Sequence, residues 1–191
     1  MATTTQTASP VNGLDREGLL QTVGLIQADS DLARFQFRLD HQWLGGSRSR
    51  STIRGFFGAG QQREHDSPFV LGADESHVLL GTDSSPSAGE LLLHALAACV
   101  TGSIVYHATA RGVTIEKIES AVEGDADLRG FLGLDPSVRN GFTRIRMHFK
   151  IKADVSDAQL QELFELGPKF SPVFDTLTKG VPVTATAERL S

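Results

Sequence analysis

The chain has 191 residues, 40% of them hydrophobic and 21% charged, with a net charge of −5 at pH 7. This length and composition are typical of a globular protein with a sizeable core. The acidic balance argues against nucleic-acid binding, which usually needs a basic surplus. One cysteine excludes an internal disulfide and a thiolate zinc cluster, and the six histidines show no metal-ligand spacing, so we expect no metal and no cofactor.

The N-terminal segment predicts a tail and a helical extension. Residues 1–12 are small and polar, which predicts disorder, and they lack the charged start and apolar core of a secretory signal. We therefore expect a cytoplasmic protein. Residues 13–32 form a predicted helical extension, because apolar side chains recur at helical spacing over 14–28.

A hairpin is predicted next. Residues 34–43 alternate between apolar and polar side chains, which predicts a half-buried strand. Gly45 and Gly46 then turn the chain, and residues 50–57 return as the second strand. We expect a polar loop over 58–67, short apolar runs at 69–71 and 78–80, and a breaker cluster over 81–86.

The central feature of the sequence is a long apolar stretch that predicts one helix from about Ala88 to about Arg111. Gly112 follows it, where a left-handed C-terminal cap belongs. Apolar residues lie all round this helix, so we expect it to be buried on most sides. Polar residues interrupt the apolar run, which argues against a membrane span.

Two strands with opposite charge follow. Residues 113–124 have a mostly acidic outer face, and residues 142–153 alternate apolar side chains with a basic face. We therefore predict that these strands pair antiparallel through ion pairs worth about 0.2–1 kcal/mol each. The intervening residues 125–141 are too many for a hairpin turn, and long ordered loops of this kind often cover a site or a partner surface.

Helix signals dominate the C-terminal part. Ser156 is the predicted N-cap of a helix that continues through about Leu166. Ser171 followed by Pro172 predicts the start of a shorter helix. Residues 181–190 are predicted to close the chain as a strand.

Cys99 lies in the middle of the predicted central helix. A lone cysteine on an apolar helix is usually an inert small hydrophobe. Thiol chemistry would need a thiolate, and a nearby cation would lower the thiol pKa. The candidate cations are Arg48 and Arg50, although ordinary solvent exposure would also account for both.

Three separated segments resemble the OsmC/Ohr family of osmotically inducible and organic hydroperoxide resistance proteins. They are the Glu90-Leu-Leu-Leu-His-Ala-Leu-Ala-Ala-Cys99 stretch, the Gly-Gly-x-Arg turn that precedes it and the Ser171-Pro172-Val173 helix start. The resemblance covers about residues 33–190 and implies one domain over 33–191. It also implies an α+β fold in which antiparallel sheets wrap a long buried central helix. Two chains would intertwine as a homodimer with the site at their interface.

The family's chemistry is thiol-dependent reduction of organic hydroperoxides. The resemblance implies that Cys99 is the reactive cysteine and that an arginine orients its thiolate. We favour Arg50 for that role because it opens the strand, and Arg48 is the alternative.

The other two family positions differ in this chain. The second cysteine of the family's Cys-Pro-Val motif is Ser171 here, and serine cannot form a disulfide. The family's glutamate lies ten residues before the reactive cysteine, at Gly89, and Glu90 comes one place later. Nine helical positions place a side chain about 180° away from Cys99. Glu90 is therefore either a first-turn anion or a partner of the arginine, and Ser171 either a helix cap or a hydrogen-bond donor toward the sulfur.

Three functions remain open from the sequence. The first is a one-cysteine peroxidase that acts on a small organic hydroperoxide and is recycled by an external thiol reductant. The second is a non-catalytic protein that binds a small apolar ligand or senses oxidants. The third is a purely structural or interaction protein, which would leave the motif match unexplained.

Overall fold

A computed structural model describes residues 9–190, so the first eight residues of the predicted disordered tail lie outside the described part. The chain divides into two compact units, the first ending at His94 and the second beginning at Ala95. The first helix of this unit is α1, Arg16–Ala28, which confirms the helix predicted over 14–28. A short 3₁₀ turn, Ser30–Ala33, follows it.

The sheet of the first unit has four antiparallel strands. They are β1 (Gln36–Phe37), β2 (Asp40–Gly45), β3 (Arg48–Gly58) and β4 (Gln61–Ala73). β1 and β2 pair with successive parts of one edge of β3, and β4 pairs with the other edge. The hairpin between β2 and β3 confirms the predicted turn at Gly45 and Gly46.

Two predictions for this sheet are wrong. Residues 34–43 do not form one half-buried strand: the chain breaks between β1 and β2, and Phe37 and Trp43 are 79% and 72% exposed. Residues 58–67 are not a loop, because Ala59 and Gly60 turn the chain with positive φ and β4 begins at Gln61. The polar residues suggested a loop, but β4 is exposed on both faces and therefore accommodates polar side chains.

The segment after β4 leads into the long helix. The short apolar run at 78–80 lies mostly within a 3₁₀ turn, His77–Leu79. Helix α2 then spans Ala88–Arg111, the bounds predicted from the sequence. It begins in the first unit and ends in the second. Gly112 has φ of 72°, and the next amide, of Val113, donates to the carbonyl of Ala108 at 2.9 Å, which confirms the left-handed cap.

Only one face of α2 is buried within the chain, so the expectation of burial on most sides is wrong. Its buried residues form a stripe, mostly at four-residue spacing: Leu96, Val100, Ile104, Ala108 and Thr109. The other faces have too few neighbours in a single chain to be covered. Helix α2 is long and apolar enough to cross a membrane. The core helices of soluble proteins meet the same criteria of length and composition.

The second unit contains a two-stranded antiparallel sheet of β5 (Ile115–Asp125) and β6 (Arg144–Ala153). The predicted pairing of acidic and basic faces is confirmed. Glu123 lies opposite Arg146, and the Arg146 guanidinium bonds both to it and to Asp125, at 3.2 and 2.5 Å. The connection between the strands holds one short helix, α3 (Leu128–Phe131).

Two helices follow β6. Helix α4 spans Asp157–Phe170, four residues further than predicted, and begins with a capping box between Ser156 and Gln159. Helix α5 spans Pro172–Lys179 with Ser171 as its N-cap, as predicted. The predicted strand over 181–190 is wrong, because these residues are exposed and form no ladder with any described strand.

The core of the second unit forms where α2 meets α4. Leu163 and Leu166 of α4 are buried with the stripe of α2, and apolar side chains of β5 and β6 pack against them. Gly167 allows the close approach, because a Cβ there would lie 2.6 Å from Cγ1 of Ile104. Cys99 is carried on the helix that this core holds in place.

Candidate functional site

Cys99 lies on α2 beside the buried stripe and is a half-buried free thiol. The helix surface around it is open. Gly102, one turn further along, would meet no atom within 4 Å if it carried a Cβ. Because Cys99 itself is only half-buried, it is not enclosed by hydrocarbon on every side within the chain.

The two candidate arginines lie at the start of β3, directly after the Gly45–Gly46 turn. We call residues 45–50 the arginine turn. Both glycines have positive φ, of 102° and 60°, a conformation that glycine adopts without steric cost. Arg48 and Arg50 are two residues apart in the strand, so both project from the same face, and both are exposed.

Glu90 caps the start of α2. Its Oε2 accepts hydrogen bonds from the backbone N–H of Ser87 at 2.7 Å and from the Ser87 hydroxyl at 2.8 Å. The Ser87 hydroxyl in turn accepts from the Glu90 N–H at 3.3 Å. This is a capping box, and the bonds from Ser87 lower the pKa of Glu90. These bonds correspond to the first of the two roles predicted for Glu90, that of an anion in the first turn of the helix.

Ser171 joins α4 to α5 and is buried, with 1% of its surface exposed. Its hydroxyl accepts a hydrogen bond from the backbone N–H of Phe174 at 3.2 Å. The side chain therefore caps α5, and such a cap is typically worth about 1 kcal/mol relative to alanine.

The candidate residues are divided between the two units. Arg48, Arg50 and Glu90 belong to the first unit, and Cys99 and Ser171 belong to the second. Within the first unit the arginine turn and the capping box are both attached to the segment between β4 and α2.

Asp74, a residue that the sequence analysis passed over, makes that attachment. It directly follows β4, is 2% exposed, and its carboxylate accepts six hydrogen bonds. Oδ1 accepts from the Ser47 hydroxyl at 2.6 Å and the Glu75 N–H at 2.8 Å. Oδ2 accepts from the N–H and hydroxyl groups of Thr82 and Ser84, at 2.6 to 3.1 Å. The sequence signal that could have identified Asp74 is an aspartate followed by a Ser/Thr-rich loop.

These bonds predict a definite pH dependence of stability. The hydroxyls of Ser47 and Thr82 hold the pKa of Asp74 far below its ordinary value of 3.8, and Arg146 lowers the pKa of Asp125. Since the unfolded chain takes up these protons first, the free energy of unfolding should fall as the pH drops below 3.8. Urea unfolding between pH 2.5 and 7 measures it.

Asp74→Asn is the control for this prediction. The variant should be less stable than the wild type at pH 7, and its stability should fall less steeply in acid, because one of the responsible carboxyls is gone. Equal slopes for variant and wild type below pH 3.8 would contradict the assignment to Asp74.

The candidate residues form no metal site, and Cys99 does not line the groove found in the second unit. Among the described residues, no group of three histidine, cysteine or carboxylate side chains could hold a metal ion. A groove of about 440 Å³ in the second unit lies between β6 and α4, lined by residues such as Phe149 and Phe164, and Cys99 is not part of its lining.

Antiparallel sheets and a long cysteine-bearing helix define an α+β class of protein for which solved structures exist. One is an OsmC-like protein from Mycoplasma pneumoniae, 21% identical, with a TM-score of 0.56 over 76% of this chain and 89% of the other. A second, from Psychrobacter arcticus 273-4, is titled a putative osmotic stress induced and detoxification response protein. It is 14% identical, with a TM-score of 0.56 over 76% of this chain and 90% of the other.

A third is an organic hydroperoxide resistance protein OsmC from Legionella pneumophila. It is 13% identical, with a TM-score of 0.50 over 75% of this chain and 91% of the other. At these identities the likeness establishes the fold. No curated protein matches the sequence significantly.

The family model described as OsmC-like protein matches residues 81–186, more than half of the chain, including α2 and Cys99. The chain belongs to the OsmC-like protein family, as the three sequence motifs indicated.

Proposed function

We propose that this protein reduces organic hydroperoxides through Cys99, with an external thiol as the reductant. The thiolate attacks one oxygen of the peroxide: an S–O bond forms, the O–O bond breaks, and the alkoxide leaves and takes a proton to become an alcohol. One external thiol then converts the sulfenic acid to a mixed disulfide and water, and a second releases the Cys99 thiol as a disulfide forms between the two reductants.

The observation that carries this proposal is the half-buried, unbridged Cys99 on an open face of α2 in a chain of this family. The Legionella pneumophila relative, titled an organic hydroperoxide resistance protein, supports the substrate class. Since Ser171 caps α5 and cannot form a disulfide, the resolving sulfur is assigned to another molecule.

We further propose that two chains form an intertwined homodimer with Cys99 at the interface. In the single chain, large apolar side chains on both units face solvent, including Phe37, Trp43, Phe69, Tyr106, Phe131 and Leu134. Monomeric proteins rarely leave so much large apolar surface exposed. A second copy would cover the open faces of α2 and of the sheets.

A non-catalytic role in binding a small apolar ligand or sensing oxidants is the second candidate. Two observations favour it: Ser171 is engaged as a helix cap, and Glu90 is engaged with Ser87. A sensor needs only that Cys99 is oxidised, without rapid recycling by a thiol.

Peroxide consumption tests the proposal. The wild-type protein and Cys99→Ser are incubated with cumene hydroperoxide and dithiothreitol, and peroxide loss is followed with time. We expect multiple turnovers by the wild type and only the background rate with Cys99→Ser. Arg50→Met and Arg48→Met, compared in parallel, identify the arginine, because removal of the one that orients the thiolate should slow peroxide consumption.

Two results would decide against turnover. Equal consumption by wild type and Cys99→Ser ends the peroxidase proposal. Labelling of Cys99 by a sulfenic-acid trap after one equivalent of peroxide, without further turnover, favours the sensor. Sedimentation analysis tests the homodimer separately, and a monomer at micromolar concentration would contradict it.

A further inference from the structure

Asp74 is bonded to two segments that carry parts of the proposed site. One is the arginine turn, through the hydroxyl of Ser47, the residue immediately before Arg48. The other is the segment from Thr82 to Ser87 that leads into α2, through both groups of Thr82 and of Ser84. The backbone N–H of Asp74 also donates to the carbonyl of Pro86 at 3.3 Å.

The six donors need an ionised carboxylate in this position. Each oxygen accepts from at least one backbone N–H, Oδ1 from Glu75 and Oδ2 from Thr82 and Ser84, and a backbone N–H can only donate. An asparagine would therefore turn its amino group toward donors on one side and leave them unsatisfied, although it has the same size. Backbone hydrogen bonds within this segment, such as that from the Asp83 N–H to the Glu75 carbonyl, already close the loop. The Asp74 carboxylate is therefore not needed for loop closure alone.

We propose that Asp74 is a positioning residue that holds the arginine turn at a fixed place relative to the first turn of the cysteine helix. The proposal rests on the proposed function, in which a guanidinium of that turn stabilises the Cys99 thiolate. Asp74 acts on Arg48 and Arg50 through Ser47 and touches neither the substrate nor the thiol. Removing the link lets the turn move and weakens the effect of the arginine on Cys99.

The chain contains its own probe of the turn. Trp43 is the only tryptophan, and its indole N–H donates to the carbonyl of Gly46 at 2.8 Å. Its fluorescence therefore reports on the conformation of the arginine turn without any peroxide or reductant.

The test compares Ser47→Ala with Ser51→Ala. Ser47→Ala removes only the bond between the turn and Asp74, whereas Ser51 lies further along β3 and is bonded to His41 at 2.9 Å. The reactivity of Cys99 is measured as its rate of alkylation by iodoacetamide at pH 7. With Ser47→Ala we expect a changed Trp43 emission and alkylation slowed about threefold to tenfold, because the thiolate is the nucleophile. Ser51→Ala should match the wild type in both.

Asp74→Asn should show the same changes more strongly, with circular dichroism and Tm recorded for every variant. A role in stability alone would lower Tm and leave the rate of Cys99 alkylation unchanged, and that result would overturn the proposal. An equal response to Ser47→Ala and Ser51→Ala would overturn it as well.

Failure of the proposed function is recognised by a different measurement. If wild type and Cys99→Ser consume peroxide equally while Ser47→Ala still slows alkylation of Cys99, the peroxidase function fails and the positioning role stands. Equal rates of Cys99 alkylation in wild type and Ser47→Ala overturn the positioning role regardless of the peroxide assay.

Discussion

Leu96→Asp is expected to prevent folding of the second unit. Leu96 is 3% exposed and packs in the cluster formed by the α2 stripe and α4. A carboxylate there would lose its hydration without gaining a partner, at a cost of several kcal/mol. Loss of the leucine packing adds about 2–5 kcal/mol, and the sum is comparable with the roughly 5–15 kcal/mol that stabilises a typical protein. Far-UV circular dichroism and the yield of soluble protein measure the outcome.

Ala98→Asp is the matched control, because it introduces the same charge two residues further along the same helix at an exposed position. It should keep the wild-type helical signal. Sedimentation of this variant also examines the proposed homodimer, since a charge on the open face of α2 should weaken association without unfolding the chain. A soluble Leu96→Asp protein with a wild-type circular dichroism spectrum would contradict the burial of the stripe.

Gly167→Ala is expected to destabilise the protein by about 1–3 kcal/mol. The new methyl group would lie 2.6 Å from Cγ1 of Ile104 and 3.1 Å from Cγ1 of Val100, both of which are fully buried and cannot move aside freely. The helices α2 and α4 would have to separate. For a chain of this length we expect Tm to fall by about 2–4 °C for each kcal/mol.

Gly102→Ala is the control, because a Cβ at that helical position meets nothing within 4 Å and alanine favours helix by about 0.5–1 kcal/mol. A double variant separates the contact from other causes. Ile104→Ala removes the atom that the methyl would strike, so Gly167→Ala should cost less in that background than in the wild type. An equal cost in both backgrounds would show that the contact with Ile104 is not responsible.

Local sequence signals predicted the bounds and caps of most elements in the second unit. The bounds of α2 and the cap at Gly112 follow from helix-forming residues that end at a glycine, and both depend on neighbours within a few positions. The pairing of β5 with β6 follows from alternation and opposite charge. The Ser156 and Ser171 caps follow from side chains that bond to nearby amides.

The errors arose where the outcome depends on distant partners. Residues 181–190 have a strand-like sequence, yet a strand needs a neighbouring edge, and they pair with none of the described strands. The polar residues of β4 resemble a loop until β3 provides hydrogen bonds along its edge. Burial of α2 was overestimated because hydrophobicity shows which residues could be buried, and a packed neighbour determines which are.

Local chemistry alone therefore specified a lone thiol on a long helix, a glycine turn with two arginines and three helix caps, because each depends on residues close together in the chain. Folding alone revealed that Asp74 collects donors from Ser47 and from Thr82 and Ser84, segments that lie far apart along the chain. The Ser/Thr-rich loop after Asp74 is a local signal, but no local pattern encodes the bond to Ser47, since it depends on the pairing of β3 with β4, which brings the turn and the loop to the same carboxylate.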